Sequence, residues 1–410
     1  MKIDATKCKT LMTSNKPGTF CCNLLMKMNY HILCVKKVFR LSVKSGIALL
    51  FIQTIFSHEN DRKIIFPDIQ GYKTLKCDLH MHTVFSDGSV WPDIRVQEAV
   101  KDGIDAIAIT EHIEYQPFKN DIPHPDRNRS HEVAKNALQE ANDLLIINGS
   151  EITRRMPPGH SNAIFLDDAN KLLTTDVMDV FEEAGKQDAF IFWNHPDWVA
   201  QAPDGVPPID SIHYELIKKD LLHGIEIVND LTYSDEALQI ALDNDLTILG
   251  TSDIHGIVDW QYKIPEGGHR PVTLVFAREK TEESLKEALF DKRTVVWFNN
   301  TLIGRPQNLV PLIEACITVQ DVQYYRDYLI ARVNLINHSD VEFILRNTGE
   351  YRFDTYADVV NIMPNSVTQV GVKTLEKLDE FIMKFEVMNA VTAPAEHPEI
   401  TIRISTNKSE

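Results

Sequence analysis

Short apolar segments alternate with amphipathic segments over some 230 residues of this 410-residue chain, and this alternation constrains the fold more than any other feature. Strands are predicted at 75–81, 104–109, 144–147, 163–166, 189–193, 224–228, 246–249, 272–276 and 295–298. Helices are predicted between them at 93–101, 130–142, 176–184, 209–221, 235–242 and 282–290. Strands that alternate with helices in this way favour an α/β fold with parallel strands, closed into a barrel or doubly wound.

The pattern changes near Pro306, where apolar residues begin to alternate with polar ones. This period of two is typical of half-buried antiparallel strands. The alternating apolar residues are Val333, Leu335, Val341, Phe343, Leu345, Phe385, Val387, Ile400, Ile402 and Ile404. We therefore expect residues 74–306 to form one α/β domain and residues 307–410 to form a small all-β sandwich.

The formal charge of −17 is unevenly distributed along the chain. Residues 1–57 carry nine basic residues and one acidic residue, a charge of +8, which leaves −25 for the rest. Within this leader the apolar run 47–56 is too short for a bilayer core, which needs roughly 20 helical residues. A basic stretch followed by such a run is typical of a secretory signal peptide, although a buried N-terminal element is the alternative. We expect an exported protein, periplasmic or extracellular, with no stable membrane span after leader removal.

The cysteines and the acidic body exclude several classes of protein. Four of the six cysteines lie in the leader, so only Cys77 and Cys316 remain, too few for a disulfide framework or a cysteine-based zinc site. A body of charge −25 is also a poor surface for long nucleic acid, which is bound largely through its phosphates.

Histidine and carboxylate residues follow the predicted strands at the points where those strands end. They are His80, His82, His112, Glu151, His195, Asp253 and His255, with Asp87 and His160 in loops leaving the same face. Because the carboxyl ends of barrel strands open onto one face, we expect these side chains to meet there. A single histidine at a strand end is usually a cap or a core residue, but this repeated placement predicts a metal site.

The size and chemistry of this set narrow the choice of metal. Nine ligands exceed the four of a structural zinc site and the three of a single catalytic zinc, so two to three divalent ions are expected. Imidazole and carboxylate ligands without thiolate suit zinc, manganese or iron. The remaining barrel histidines, His124, His131, His213 and His223, are predicted to be structural or solvated, whereas His269 is a candidate for the pocket wall.

These motifs resemble those of the polymerase and histidinol phosphatase (PHP) family. The run His80-Met81-His82-Thr83-Val84-Phe85-Ser86-Asp87-Gly88 is similar to its opening motif. Thr110-Glu111-His112, Gly149-Ser150-Glu151, Gly159-His160, Asn194-His195-Pro196 and Ser252-Asp253-Ile254-His255 are similar to its later motifs, in the same order. The resemblance covers about residues 74–305 and implies a distorted (β/α)7 TIM-like barrel with a trinuclear metal site.

The resemblance also implies an assignment of ligands to metals. The first metal would be held by His80, His82, Glu151 and Asp253, and Glu151 would bridge to a second metal held by His160 and His195. The third would be held by Asp87, His112 and His255. The β-rich tail lies outside the core family, and together with the leader it resembles secreted bacterial PHP proteins.

The expected function is hydrolysis of phosphomonoesters or small phosphodiesters, such as nucleotide-like or sugar phosphates, by a metal-bridging hydroxide. Asp253, His255 and His195 are the candidate catalytic residues, with Asp253 or a neighbouring histidine relaying the proton. Arg154, Arg155 and Arg270 are predicted to contact the phosphate, because an arginine fork suits phosphate oxygens.

Three alternative functions remain open on the sequence. They are a metal hydrolase of C–N or C–O bonds, an exonuclease, and an envelope binding protein whose sandwich carries the function. The expected partner is a small phosphorylated substrate. The tail is expected to act as a lid, as a tether, or as the contact of a homo-oligomer.

Overall fold

The computed structural model describes residues 62–139, 142–324 and 328–406. The predicted leader at 1–57 lies outside the described residues, so export stays a prediction. In the described part of the chain, no helix combines the length and the apolar composition that a bilayer crossing requires.

Seven strands of a curled sheet surround the barrel interior. They are β1 (Lys73–Asp78), β2 (Ala106–Ile109), β3 (Leu145–Thr153), β4 (His160–Ile164), β5 (Phe190–Trp193), β6 (Gly224–Asn229) and β8 (Thr247–Thr251), with the short β7 (Thr232–Tyr233) beside β6. Strands β1, β2 and β3 are parallel, as are β5, β6 and β8. A parallel bridge between Met81 and Ile254 joins the segments that follow β1 and β8, at the face where the strands end.

Eight helices accompany these strands in the described residues. They are α1 (Pro92–Asp102), α2 (Arg129–Ala137), α3 (Val177–Gly185), α4 (Ser211–Lys218), α5 (Asp235–Asp243), α6 (Val258–Gln261), α7 (Glu282–Phe290) and α8 (Pro306–Cys316). Local chemistry fixes several of their ends. Asp176 caps α3 by accepting from the backbone amides of Met178 and Asp179, and Gly103 ends α1 at a positive φ of 68°.

The predicted α/β class is confirmed, but not every strand is parallel. Strand β4 runs antiparallel to both β3 and β5. Only residues 154–159 connect β3 to β4, and a parallel connection needs a dozen or more residues. Strands β9 (Val272–Ala277), β10 (Thr294–Phe298) and β11 (Thr301–Gly304) extend the sheet from β1 with successive antiparallel pairings.

The C-terminal region begins with helix α8 and continues as two four-stranded antiparallel sheets. One contains β12 (Ile317–Tyr324), β13 (Ile330–Asn337), β17 (Val367–Lys373) and β15 (Arg352–Phe353); the other contains β16 (Val359–Ile362), β14 (Phe343–Asn347), β18 (Glu380–Val387) and β20 (Glu399–Ser405). The predicted β-rich tail is confirmed. Its first element is a helix that the sequence analysis did not predict, and α8 buries Leu309, Leu312 and Ile313 on one helical face.

The tail is fastened to the edge of the barrel sheet. Strand β19 (Ala390–Val391) pairs in parallel with β11, and the Asn389 amide donates to the backbone carbonyls of Asn300 and Glu342, both at 2.7 Å. Cys77 and Cys316 are both free and buried.

Candidate metal centre

The structure brings all nine predicted ligands to the face where the barrel strands end. His80 and His82 follow β1, His112 follows β2, His195 follows β5, and Asp253 with His255 follows β8. Strand β3 is longer than predicted, so that Glu151 lies within it and pairs with His112 through a parallel bridge. The alternating direction of this strand turns the Glu151 carboxylate into the centre, where it is fully buried.

One group of ligand atoms forms around the His-x-His segment. The Nε2 atoms of His80 and His82 lie 3.0 Å apart. Asp253 Oδ1 lies 3.2 Å from the first and 3.1 Å from the second. Two buried imidazoles and a carboxylate in this arrangement can hold one divalent ion.

Two further groups lie next to the first. Glu151 Oε1 lies 2.9 Å from His160 Nδ1 and 3.4 Å from His195 Nε2. Asp87 places one oxygen 3.4 Å from His112 Nε2 and the other 3.2 Å from His255 Nε2. His82 also lies close to the ligand atoms of Asp87, His112 and His255, and His112 lies close to those of Glu151 and His160, so the ligand sets adjoin one another.

Orphaned polar atoms test whether these residues fit a cation. Asp87 Oδ1, Glu151 Oε2, Asp253 Oδ1 and His195 Nδ1 are buried without a hydrogen-bond partner among the described residues. Imidazole nitrogens lie 3.1 Å from Asp253 Oδ1 and 3.2 Å from Asp87 Oδ1, but not in hydrogen-bonding geometry. Leaving a buried carboxylate oxygen unpaired costs free energy, whereas a divalent ion would satisfy it. The donor set therefore fits a bound metal.

The electrostatics of the cluster keep its carboxylates ionised. Burial alone would raise the pKa of Glu151, but the surrounding imidazoles, led by His112, hold it well below the usual range. Burial likewise opposes a charged His112, yet the carboxylates of Glu151 and Asp87 raise its pKa to about 10. Burial and the neighbouring His112 ring lower the pKa of His82 to about 3. Metal is bound by carboxylates and neutral imidazoles, so the carboxylates and His82 are already in the binding form, whereas His112 would have to release a proton when a metal binds.

Glu226 is a site residue that the sequence analysis missed. Its Oε1 accepts from Thr251 Oγ1 at 2.6 Å and lies 2.8 Å from His80 Nδ1, while its Oε2 accepts from the His195 amide at 2.8 Å. A carboxylate behind a histidine fixes the ring so that the other nitrogen faces the metal. The available signal was an acidic residue inside the otherwise apolar strand β6.

Arg95 and Gly88 hold the ligand-bearing loops in place. The buried Arg95 guanidinium donates to the carbonyls of His82 and Ile254, both at 3.0 Å, and so links the two main ligand segments. A Cβ atom at Gly88 would lie 2.7 Å from the His82 carbonyl carbon and from the Thr83 nitrogen. Only glycine fits there without displacing His82.

Two of the proposed ligands have strained backbones. His195 has a φ of 30° and Asp253 a φ of 47°, in the left-handed region that side chains rarely adopt. Such strain costs on the order of 1 kcal/mol per residue, persists only where the surroundings impose it, and clusters at functional sites. Here it turns both side chains toward the centre of the face.

The structure does not place the three predicted arginines at the cavity wall. Arg154 Nε pairs with Glu114 at 2.9 Å, and Arg155 is exposed to solvent. The prediction for Arg270 is wrong, because its buried guanidinium pairs with Asp78 at 3.1 Å and Asp102 at 2.6 Å. The candidate His269 stacks on Trp297 with ring centroids 3.5 Å apart, so it packs inside the protein.

Four barrel histidines were predicted to be structural or solvated, and each of them forms hydrogen bonds with backbone groups. These are His124 with Ile122, His131 with Ile146, His213 with Asp210 and Pro158, and His223 with Ile191 and Asp220.

A cavity of about 570 Å³ opens over the ligand cluster. Beyond the ligands its wall consists of Asp197, Trp198, Val199, Gly205, Asn229, Asp230, Thr232, Ile254, Gly256 and Gln261. No lysine, no arginine and no residue of the C-terminal region lines it in the part of the chain that the structure describes. This arrangement disfavours the tail as a lid.

Comparisons with known proteins agree with the geometry. The PHP domain family model matches residues 78–190, and an Ig-like domain model matches residues 317–403. A two-domain protein of Bacteroides vulgatus containing a predicted PHP-like metal-dependent phosphoesterase is 42% identical, with a TM-score of 0.77. The match covers 83% of this chain and 98% of that one.

Other solved structures are more distant. The lesion-specific endonuclease PfuEndoQ of Pyrococcus furiosus is 15% identical over 58% of this chain and 60% of its own, with a TM-score of 0.39. An amidohydrolase of Chromobacterium violaceum is 14% identical over 44% of this chain and 87% of its own, with a TM-score of 0.32. No curated protein matches the chain. Because it is 42% identical to the Bacteroides relative and matches the PHP domain model, the chain belongs to the family of PHP-like metal-dependent phosphoesterases.

Proposed function

We propose that this protein hydrolyses phosphomonoesters or small phosphodiesters at a cluster of two to three divalent ions, with zinc, manganese or iron as candidates. The observation that carries the proposal is the convergence of nine histidine, aspartate and glutamate residues at one face of the barrel, seven of which line the cavity, with buried, unpaired carboxylate oxygens. Three adjoining ligand groups support three metal positions.

Each ion would have its own ligands from this chain. His80, His82 and Asp253 would hold the first, His160 and His195 the second, and Asp87, His112 and His255 the third, with Glu151 bridging the first two. Bound ions would lower the pKa of water to about 7, supplying hydroxide at neutral pH, and would withdraw charge from the phosphoryl oxygens.

The chain itself orients the ligands and handles protons. Glu226 and Asn194 fix the orientations of His80 and Glu151, the latter through a 3.0 Å hydrogen bond from the Asn194 amide. Asp253, His195 and His255 line the cavity beside the cluster. We assign the transfer of a proton to the leaving oxygen to one of these three, which would act as the acid when it is not bound to a metal, and His255 is the most exposed of them.

The cavity wall supports small substrates over polymers. A polynucleotide needs cationic contacts along its backbone, and the described wall contains none. The basic leader supports an exported enzyme that meets its substrate outside the cytoplasm. The Ig-like region is proposed to provide a tether or an oligomer contact.

The proposal predicts both the metal content and the bond that is cleaved. The purified chain should contain two to three equivalents of divalent metal, measured by elemental analysis, and a chelator should abolish its activity. It should hydrolyse an aryl phosphate such as p-nitrophenyl phosphate but not a matched anilide or lactone. One metal equivalent or less would contradict the cluster, and hydrolysis of the anilide or lactone alone would assign the site to C–N or C–O bonds.

Glu226→Gln should weaken metal binding without unfolding the barrel. The substitution removes the charge behind His80 while keeping the side-chain volume, and loss of an outer-shell partner typically costs 10–100-fold in metal affinity. We expect a loss of about 10- to 100-fold, measured by competition with a chromogenic chelator. Glu236→Gln, on the exposed face of α5, is the matched control and should bind metal normally. Equal affinities would show that Glu226 does not position the ligand.

A further inference from the structure

The cavity wall also contains residues outside the ligand cluster that the proposed chemistry does not use. We call this part of the wall the outer subsite, and it comprises Asp197, Trp198, Asn229, Asp230, Thr232 and Gln261. These residues come from three separate segments: the loop after β5, the turn between β6 and β7, and helix α6. A volume of about 570 Å³ lies within the range of small-molecule sites and exceeds what a phosphate group alone would fill.

We propose that the outer subsite binds the leaving group of a phosphomonoester, that this group is an uncharged sugar or polyol, and that a second anionic group is excluded. The inference rests on the proposed function, because it places the phosphoryl group at the metal centre.

The negative charge of the cavity wall is the reason why a second anionic group should be excluded. Asp197 and Asp230 contribute two carboxylates, and no described lysine or arginine of the wall offsets them. Divalent ions would reverse the local sign only beside the ligand cluster, where the phosphoryl group binds. A second phosphate at the outer subsite would face two like charges at short range in a partly desolvated cavity, where Coulomb repulsion is strong.

Asp230 is held in a fixed position relative to the metal centre. Its φ of 51° is strained, and its Oδ1 accepts from Gln261 Nε2 at 2.8 Å and lies 3.1 Å from the Tyr262 hydroxyl. The same hydroxyl lies 2.8 Å from the carbonyl of Ser252, the residue before Asp253. The Tyr262 hydroxyl thus links the outer subsite to the ligand loop, so the distance between the two parts of the cavity that would bind a substrate is fixed.

The hydrogen-bonding groups of the subsite match hydroxyl donors. The amide nitrogens of Asn229 and Gln261 each use one of their two N–H groups within the protein, to Glu226 and Asp230, so that their carbonyl oxygens and the two carboxylates make acceptors the more numerous groups of the subsite. Acceptors spread over three segments suit the several hydroxyls of a sugar better than one ammonium group. The half-exposed Trp198 ring, edge-on to His195 at 5.3 Å, supplies an apolar wall for a sugar face.

The test compares matched substrates on the metal-loaded full chain. Glucose 6-phosphate, glucose 1,6-bisphosphate and O-phosphoethanolamine differ in the second anion and in the hydroxyls, and p-nitrophenyl phosphate reports the chemistry alone. We expect kcat/KM for glucose 6-phosphate to exceed kcat/KM for glucose 1,6-bisphosphate and for O-phosphoethanolamine by at least about 10-fold, a ratio that corresponds to about 1.4 kcal/mol. Calorimetric binding constants should follow the same order.

Variants identify the residues responsible. In the Asp197→Asn/Asp230→Asn double variant, glucose 1,6-bisphosphate should gain about 10-fold relative to glucose 6-phosphate, with unchanged metal content. Asp204→Asn, an exposed carboxylate in the same loop as Trp198 that does not line the cavity, should keep the wild-type ratio.

Each other outcome overturns the inference in a distinguishable way. Turnover of p-nitrophenyl phosphate with no preference among the three esters, a preference for O-phosphoethanolamine, or an unchanged ratio in the double variant would remove the outer subsite alone. Absence of binding and of turnover for every phosphate would remove the proposed function and this inference with it.

Discussion

Glu151→Gln is expected to lower turnover by more than about 100-fold, which is the upper range for losing an outer-shell partner of a metal ligand. Glu151 is fully buried, its Oε1 faces His160 and His195, and its Oε2 lies 3.5 Å from His82 Nε2. Its carboxylate therefore lies close to ligand atoms of both the first and the second group. Replacing it by an isosteric amide removes the charge that would bridge two ions while preserving the volume.

Metal content distinguishes a lost ligand from a damaged fold. The Glu151→Gln protein should retain its circular dichroism spectrum and lose at least one metal equivalent by elemental analysis. Glu132→Gln, a half-exposed carboxylate on α2, is the matched control and should keep full metal content and activity. Full turnover in the Glu151 variant would rule out the bridging role.

The site was predictable because the same pattern, a buried strand followed by a histidine or a carboxylate, recurs along the sequence. Each ligand follows a buried strand, and the carboxyl ends of barrel strands meet at one face, so strand positions alone predicted the meeting of His80, His112 and Asp253. The adjoining ligand groups, with His82 and His112 each near two of them, depend on side-chain directions. Strand periodicity does not contain that information.

The misassigned residues share a physical cause. Arg270 and Glu226 are both charged side chains in or beside apolar strand segments. The sequence analysis predicted that Arg270 contacts the phosphate, and it did not predict a role for Glu226. Whether such a charge faces a ligand, a carboxylate or a histidine is decided by tertiary partners far away in the chain, such as Asp102, 168 residues from Arg270.

Helix α8 was not predicted for another reason. Its internal Pro311 disfavours a helix locally, and only packing of its apolar face compensates.

The distribution of charge around the cavity would determine how a phosphate substrate is attracted. The barrel is strongly acidic, and the described cavity wall lacks any cationic side chain, so metal ions would be the main attraction for a phosphate. The same wall would repel the rest of a polyanion. Affinity for phosphate and discrimination against a second phosphate thus follow from one distribution of charge.

Arg270→Met is expected to reduce the free energy of unfolding by about 3–5 kcal/mol, the cost of breaking a buried ion pair from one side. The guanidinium is 1% exposed and bonds Asp102 through Nε and Nη2, at 3.1 and 2.6 Å, and Asp78 through Nη1 at 3.1 Å. Asp102 keeps a second partner in Arg62, whereas the fully buried Asp78 would keep, among the described residues, only the Ser252 amide at 3.0 Å. An uncompensated charge would then lie directly behind the ligand loop.

Urea unfolding of the metal-free protein measures this cost without the contribution of bound metal. Arg278→Met, a guanidinium that is 66% exposed, should change stability by no more than about 0.5 kcal/mol. Should the methionine variant fail to fold, Arg270→Lys remains informative, because it keeps the charge but cannot bond both carboxylates with a fork, and an intermediate loss is expected. A change below about 1 kcal/mol in both variants would mean that Asp78 and Asp102 are solvated or protonated, and that the ligand loop after β8 is supported in another way.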